Sequence, residues 1–318
     1  MKKELGILLL VVALCVLVAA INPRFLGAAN LQNMARLIGM YGIFTIGQAL
    51  VIITGGIDLS VGSLFALLGV LLSMMITQWR WPWTAAVGAV TGLALGLGWL
   101  HGALVTRLRV QPFIVTLCGL LFYRGLARFI AQDETKGFGS AEGFTMLRDL
   151  ATGSVARVPM PFLLLLVLAG VAAVLLHRSV YGRHLFAAGR NEDAARYSGI
   201  DSRAVISSAY VLSAGLAGIA GILIAFYTNS VSPSSHGSFY ELYGIAAAVL
   251  GGCSLRGGEG SILGILLGTT LLQVLQNLVN LLGIPSSLNF AVMGLVILVG
   301  VVTEQFLGAR RERRPTPQ

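Results

Sequence analysis

The sequence predicts an all-α integral membrane protein, a polytopic bundle of about ten transmembrane helices. Hydrophobic residues make up 56% of the 318 positions and charged residues only 11%, against about 45–50% and about 25% in soluble domains. Apolar stretches of about 20 residues, the length that crosses a hydrocarbon core, recur along the chain. The polar segments between them are too short for a separate soluble domain, so we expect residues 1–318 to form one transmembrane domain.

The predicted spans are the apolar runs left when the sequence is divided at prolines, glycine clusters and charges. The first run is longer than the 7–15 residues of a signal-peptide core, so we interpret it as a retained span. The boundary between the eighth and ninth spans falls in the glycine-rich segment 251–258 (GGCSLRGG). The predicted spans cover residues 5–21, 35–54, 59–77, 83–105, 112–131, 159–176, 204–227, 241–254, 260–279 and 288–307.

The Lys and Arg residues predict the orientation of these spans. They cluster in short segments between apolar runs, chiefly in 178–203 and in the basic tail 308–318. Basic residues in short loops mark the cytoplasmic side of a membrane protein. We therefore expect both termini in the cytoplasm of a bacterium, a location in its cytoplasmic (inner) membrane, and contact with membrane lipid. The net charge of +9 then reports orientation, and we expect no nucleic acid partner.

Motifs for catalysis, metal binding and nucleotide binding are missing from the sequence. The four histidines are scattered without HExxH spacing, and the three cysteines form no CxxC pair. No GxxxxGK[ST] phosphate-binding loop occurs. We therefore predict no catalytic residue, no metal and no bound cofactor, and any ATP that drives this protein must be bound by another polypeptide.

The segment 54–63 (TGGIDLSVGS) contains Asp58, the only acidic residue between Glu4 and Asp133. Ionisable groups at membrane depth are costly and usually face a cavity or a partner. One interpretation therefore places Asp58 beside a translocation path or in a re-entrant turn. The other makes Asp58, with Ser60 and Ser63, a cap for the first amides of the third span.

The cytoplasmic segment 178–203 contains the signals of one short helix near residues 191–198. Asn191 suits its N-cap, Glu192 complements the positive end of its dipole, and Gly199 suits the left-handed position after its last turn. A helix this short needs a surface to persist. That surface is either the ends of the chain's own spans or a cytoplasmic partner, and the residues alone do not favour one.

The segment 239–252 (FYELYGIAAAVLGG) is a small-residue span that allows close helix packing. Glu241 lies at its outer end. We expect this carboxylate either to line a pore or to anchor the helix at the membrane interface.

Together these segments resemble the ribose-type permease family of bacterial ABC importers, which serves ribose, arabinose, galactosides and autoinducer 2. The resemblance covers nearly the whole chain. Its motifs are NPRF at 22–25, GGIDLSVGS at 55–63, FIVTL at 113–117 with Arg124 and Gly125, residues 189–200, YEL at 240–242 and GGxSLxGGxG at 251–260. Two positions depart from the family pattern, since the family often has Gly where Arg190 stands and Asp where Tyr243 stands.

The resemblance implies a permease subunit without catalysis of its own, importing a ribose-like monosaccharide. Its implied partners are a cytoplasmic ABC ATPase subunit, an extracytoplasmic sugar-binding protein and a second permease copy or paralogue that completes a dimer. It also implies that the segment 178–203 docks on the ATPase and couples it to the permease. The residues implied in coupling are Gly189, Arg190, Asn191, Glu192, Ala194, Ala195, Arg196 and Gly199.

Two other classes of membrane protein remain as alternatives. An ion-coupled secondary transporter of a small polar solute would place ionisable groups near the membrane midplane on broken helices, and Asp58 is the one candidate. An integral membrane enzyme would need a constellation of His, Asp, Glu or Cys, and no spacing in the sequence suggests one.

Overall fold

The structure is a computed structural model that describes residues 2–139 and 143–285, with the isolated positions 288, 291, 292, 294, 295 and 298. The predicted tenth span, apart from those positions, and the basic tail 308–318 lie outside the described residues. Within the described part the regular structure is almost entirely helical, as predicted. The α-helices are α1 (Lys2–Ile21), α2 (Ala28–Ile53), α3 (Val61–Thr77), α4 (Trp83–Thr106), α5 (Pro112–Ala131), α6 (Thr145–Thr152), α7 (Met160–His177), α8 (Val180–Arg190), α9 (Glu192–Tyr197), α10 (Ser202–Thr228), α11 (Tyr240–Leu250) and α12 (Ile262–Leu281).

Four two-residue strands and one 3-10 turn complete the described structure. Strand β1 (Lys136–Gly137) pairs antiparallel with β4 (Ser230–Val231), and β2 (Ser154–Val155) pairs with β3 (Val158–Pro159). The 3-10 turn (Pro23–Leu26) joins α1 to α2.

Seven described helices are long and apolar enough to cross a membrane, namely α1, α2, α4, α5, α7, α10 and α12. Each coincides with a predicted span. The third and eighth predicted spans correspond to the shorter helices α3 and α11. The eighth was predicted to reach residue 254, but α11 ends at Leu250, because the chain turns at Gly251 and then takes a left-handed conformation (φ +91°) at Gly252.

The helices α2 and α10 form the centre of the bundle, and most of their residues are buried. Helix α10 packs along both α4 and α2. Its contact with α4 is close because Gly98 faces Ala214 and Gly102 faces Ser207. In a lipid environment small residues of this kind let two helices pack tightly without a hydrophobic driving force between them.

The outermost helices expose aliphatic side chains. Leu9 and Val16 of α1 and Val167 and Val171 of α7 are each more than 60% exposed. Such a surface suits lipid tails, not water. Trp79 and Trp81, in the connection between α3 and α4, are also exposed, and tryptophan is enriched where a membrane meets water.

Hydrogen bonds define the end of the bundle at which α1 begins, called here the α1 end. The Ser261 hydroxyl donates to the Glu4 carboxylate at 2.7 Å, and the Ile262 amide donates to Nε2 of His177 at 3.3 Å. These bonds join the starts of α1 and α12 to the end of α7. At the opposite end, the Asn22 side chain donates to the carbonyl of Leu281 at 3.2 Å.

The α4–α10 contact predicts opposite responses to the same substitution at two positions of α4. A Cβ at Gly98 would lie 2.7 Å from both the Ala214 Cβ and the Tyr210 carbonyl oxygen, whereas one at Gly96 would meet nothing within 4 Å. Gly98→Ala should therefore cost about 1–3 kcal/mol through overpacking, and Gly96→Ala should leave stability unchanged or slightly raised. Thermal unfolding of the purified protein in detergent measures both; equal midpoints would contradict the packing described.

Candidate functional site

The helices α3 and α11 each begin inside the bundle after a stretch of irregular backbone, and their starts meet there. We call them the interrupted helices. At about 1.5 Å per residue α11 is about 16 Å long, roughly half of a hydrocarbon core of about 30 Å. Irregular backbone precedes both helices, at 54–60 and at 232–239. Their first turns touch, because a Cβ added at Gly62 would overlap the carbonyl oxygen of Gly237 and the carboxylate of Glu241. The positive ends of two helix dipoles therefore lie close together.

Glu241 lies at this meeting point and not on the outer surface of the bundle. It is 7% exposed, in the first turn of α11, with its carboxylate against Gly62 at the start of α3. Carboxylates are stabilising near helix N-termini, and here one carboxylate lies next to two of them. The carboxylate is therefore buried against the start of α3, and the two roles expected from the sequence, lining a pore or anchoring the helix at the membrane interface, stay predictions.

Arg124 of α5 holds the irregular segment 232–239 in place. Its Nη1 donates to the carbonyl oxygens of Pro233 at 3.1 Å and His236 at 2.7 Å. The sequence analysis included Arg124 only within a family motif and missed this contact. The sequence did contain a signal, because Arg124 lies inside an apolar span. A guanidinium there is costly unless it donates hydrogen bonds to backbone carbonyls or pairs with an opposite charge.

The turn 54–60 forms the second half of the site, and its hydrogen bonds come from the last turn of α2 and from side chains. Oδ1 of Asp58 accepts from the Ser60 amide at 2.9 Å and from the Ser60 hydroxyl at 2.6 Å. The Asp58 carbonyl accepts from Nε2 of Gln48 at 2.8 Å, and the Ile57 carbonyl accepts from the Thr116 hydroxyl at 3.1 Å. Non-helical backbone at membrane depth is tolerated when it is enclosed and bonded in this way.

The expected cap of the third span is wrong in its details. Ser60 stands at the N-cap of α3, but its side chain caps no amide, because the hydroxyl donates to Asp58 instead. The Ser63 hydroxyl donates back to the Ser60 carbonyl at 2.7 Å. Asp58, which is 2% exposed, therefore closes the turn before α3 and does not cap the helix itself.

Three polar rings from other helices surround this turn. The Tyr123 hydroxyl lies 2.8 Å from Nε2 of His101, and a Cβ at Gly119 would lie 2.8 Å from that same nitrogen and 3.2 Å from the Ser60 Cβ. The buried Tyr210 hydroxyl lies beside Gly56 and has no hydrogen-bond partner among the residues that the structure describes. The sequence analysis treated the histidines as scattered, since residues on α4, α5 and α10 share no local pattern.

The predicted short helix of the segment 178–203 is confirmed as α9. Oδ1 of Asn191 accepts from the Ala194 amide at 2.9 Å, which makes Asn191 the N-cap, and Gly199 follows the helix at φ +85°. A second helix, α8, precedes it and ends at Arg190. The sequence analysis predicted one helix in this segment and missed α8. Gly189 and Arg190 are the last two residues of α8.

The faces of α9 divide between the chain itself and its surroundings. Ala195 is 4% exposed and packs inward, whereas Tyr197 is 93% exposed. Glu192, Ala194 and Arg196 are exposed as well. The helix thus rests on its own chain through Ala195 and presents a polar surface with one aromatic ring to its surroundings.

Two surface cavities lie away from these residues. One of about 570 Å³ is lined by the α3–α4 connection, including Trp81, and by Phe144. The other, of about 580 Å³, lies along α5 and is lined by Phe122 and Phe129. Neither contains Asp58 or Glu241. Among the described residues no group of three or more His, Cys, Asp or Glu could hold a metal ion.

Comparison with known proteins gives a consistent set of relatives. The family described as branched-chain amino acid transport system / permease component matches residues 30–301. The ribose import permease protein RbsC of Bacillus subtilis (strain 168) is 36% identical over 310 residues, covering 95% of this chain and 93% of the relative. RbsC of Escherichia coli (strain K12) is 36% identical over 305 residues, covering 95% and 93%.

A more distant transport system gives the same result. The autoinducer 2 import system permease protein LsrD of Klebsiella pneumoniae is 33% identical over 314 residues, covering 97% of this chain and 93% of the relative. No solved structure matches the chain.

The hydrogen bonds of Asp58 predict a graded loss of stability. Asp58→Ala leaves the buried Ser60 amide and hydroxyl without their acceptor, at a cost of about 1–3 kcal/mol. Asp58→Asn retains an oxygen at the Oδ1 position and should cost clearly less. Thermal unfolding in detergent compares the two variants with the wild type. An Asp58→Ala protein as stable as the wild type would show that this carboxylate does not hold the turn.

Proposed function

The chain belongs to the family of branched-chain amino acid transport system permease components, and from this premise we propose that it translocates a ribose-like monosaccharide across the cytoplasmic membrane as part of an ABC importer. It is a non-catalytic, multi-pass membrane subunit. The observation that supports a sugar most strongly is the 36% identity to ribose import permeases over 95% of the chain.

The interior of the bundle suits a solute with several hydroxyl groups. The turn 54–60 is surrounded by the imidazole of His101 and the phenol groups of Tyr123 and Tyr210, which can donate and accept hydrogen bonds. A branched-chain amino acid, the solute in the family's description, would instead require a cationic group for its carboxylate, whereas Arg124 donates to the carbonyl oxygens of Pro233 and His236. We therefore infer a neutral sugar, with Asp58, Ser60, Ser63 and Glu241 positioning the path and not binding an ionic substrate.

The energy for transport comes from a partner in this proposal. The chain has no phosphate-binding loop, so a cytoplasmic ABC ATPase subunit binds and hydrolyses ATP. An extracytoplasmic sugar-binding protein delivers the solute, and a second permease copy or paralogue completes the pathway. Both termini are cytoplasmic, which places the segment 178–203 on the ATPase side.

The contact with the ATPase is the outward surface of α9. Ala195 faces the chain's own helices, so the docking residues are the exposed ones, with Tyr197 as the aromatic contact. Aromatic side chains of this kind dominate interface energetics when a partner buries them. The coupling residues Gly189 and Arg190 lie behind this surface, at the end of α8.

Reconstitution tests this function directly. The chain is assembled with its cognate ATPase and sugar-binding protein in proteoliposomes, and uptake of labelled ribose is measured with and without ATP. We expect ATP-dependent uptake that excess unlabelled pentose suppresses and excess leucine does not. Suppression by leucine would show that the complex recognises an amino acid, and would contradict the proposal of a sugar substrate. Uptake driven by an ion gradient without ATP would contradict the ABC mechanism.

The same preparation tests the docking surface. Tyr197→Ala should weaken co-purification of the ATPase and lower uptake, because it removes the most exposed ring of α9. Trp81→Ala is the matched control, since Trp81 is an exposed aromatic at the opposite end of the bundle. Equal ATPase binding by the two variants would show that α9 is not the contact.

A further inference from the structure

Three segments meet backbone to backbone at the α1 end of the bundle. They are the end of α8, the turn that follows α2 and the glycine-rich connection between α11 and α12. A Cβ added at Gly189 would overlap the carbonyl oxygen of Ile53 and lie 2.8 Å from the amide nitrogen of Gly258. The Gly258 amide itself donates to the Ile53 carbonyl at 2.8 Å. We call this contact the glycine junction.

The remaining side of the glycine junction is equally close. A Cβ at Gly257 would lie 2.5 Å from the Gly189 carbonyl oxygen and 2.9 Å from the Gly55 amide nitrogen. Gly55, Gly257 and Gly258 have left-handed φ values of +82°, +82° and +76°, which favour glycine for conformational reasons. Gly189 lies within helix α8, so its lack of a side chain is required by the contact alone.

Helix α8 is fixed at both of its ends. Near its start, a Cβ at Gly182 would overlap the carbonyl oxygen of Leu176 in the last turn of α7. At its other end, Gly189 rests on the last residue of α2. Backbone groups in direct contact have no side chain between them that could change rotamer and absorb a displacement. A movement of α8 is therefore passed to the turns it touches.

Each turn of the glycine junction belongs to one of the interrupted helices. Turn 54–60 leads into α3, and the connection 251–261 leaves α11. On the outward side, Gly189 is followed after one residue by Asn191, the N-cap of α9. A path of covalent and backbone contacts thus runs from the exposed face of α9 to the two helices that meet at Gly62 and Gly237.

We propose that Gly189 is the positioning residue through which α9 moves both turns, so that α3 and α11 shift together when the docked partner moves. The inference rests on the proposed function, because the movement originates in the ATPase. It adds to that function a specific point of transmission. A ligand-driven conformational change requires contacts that differ between states, and the glycine junction joins the docked surface to the interrupted helices.

Gly189→Ala tests the proposal in the reconstituted complex, with Gly170→Ala as the matched control. Both glycines lie in helices, and a Cβ at Gly170 would meet nothing within 4 Å. Alanine favours both helices, so any loss at Gly189 arises from the junction. We expect Gly189→Ala complexes to assemble and retain basal ATP hydrolysis, while sugar-stimulated hydrolysis and uptake fall by about tenfold, within the range that coupling between sites typically spans.

Two results separate this proposal from the function it rests on. Wild-type levels of stimulated hydrolysis and uptake in Gly189→Ala complexes would overturn the proposed role of the glycine junction and leave the proposed function intact. Absence of ATP-dependent uptake in the wild-type complex would overturn the function. A merely destabilised variant would lose basal and stimulated hydrolysis in proportion to the amount of assembled complex.

If the Gly189→Ala protein does not accumulate, a disulfide across the glycine junction tests the same proposal. A Cβ at Gly258 would lie 3.0 Å from the Arg190 Cβ, close to the separation of about 3.5–4.5 Å in disulfides. Because Gly258 has a left-handed φ of +76°, the Gly258→Cys single variant is measured beside the Arg190→Cys, Gly258→Cys pair, both in a background lacking the three native cysteines, and each is assembled reduced and then oxidised. Because the segments move as one, oxidised and reduced complexes should show equal uptake. Loss on oxidation that a reductant reverses would show that the contact must open, and would overturn the proposal.

Discussion

The structure depends on one constraint, which is that non-helical backbone enclosed in the bundle must find every hydrogen bond and all its space within the protein. Turn 54–60 obtains its bonds from Gln48, Thr116 and the Asp58 side chain. Glycines fit it into the bundle, since a Cβ at Gly62 would overlap the Gly237 carbonyl oxygen and Gly55 has a left-handed φ of +82°. Without those bonds and glycines the chain between α2 and α3 would have to leave the bundle.

The same constraint produces an unusual charge distribution. Two helices that begin inside the bundle bring two positive dipole ends together, and a nearby carboxylate offsets each of them by about 0.3–1 kcal/mol, and up to ~2 when partly buried. Glu241 lies at the contact itself and Asp58 just before α3. Long continuous helices such as α2 and α10 have no such ends in the interior, and the shorter helices pack against them.

Hydrophobicity was sufficient to predict the membrane-spanning helices, but it predicted neither α6, α8 nor the site. Apolar runs located the spans, and the local signals of Asn191 and Gly199 located α9, because both depend on residues adjacent in sequence. The Tyr123–His101 and Arg124–His236 contacts join residues on different elements, so no local pattern could reveal them. Glu241 shows the same limit, because its position in the span left a pore and the interface open, and only the packing of α11 shows that its carboxylate lies against Gly62.

We propose that sugar transport depends on the contact between the first turns of α3 and α11. Gly62→Ala tests it most directly, since a Cβ there would overlap Gly237 and Glu241, while Gly92→Ala on α4 meets nothing within 4 Å. The measurement is ATP-dependent sugar uptake per assembled complex in proteoliposomes. We expect uptake to fall by about tenfold for Gly62→Ala, a barrier change of about 1.4 kcal/mol, and to stay at the wild-type rate for Gly92→Ala. Wild-type uptake by assembled Gly62→Ala complexes would contradict the account.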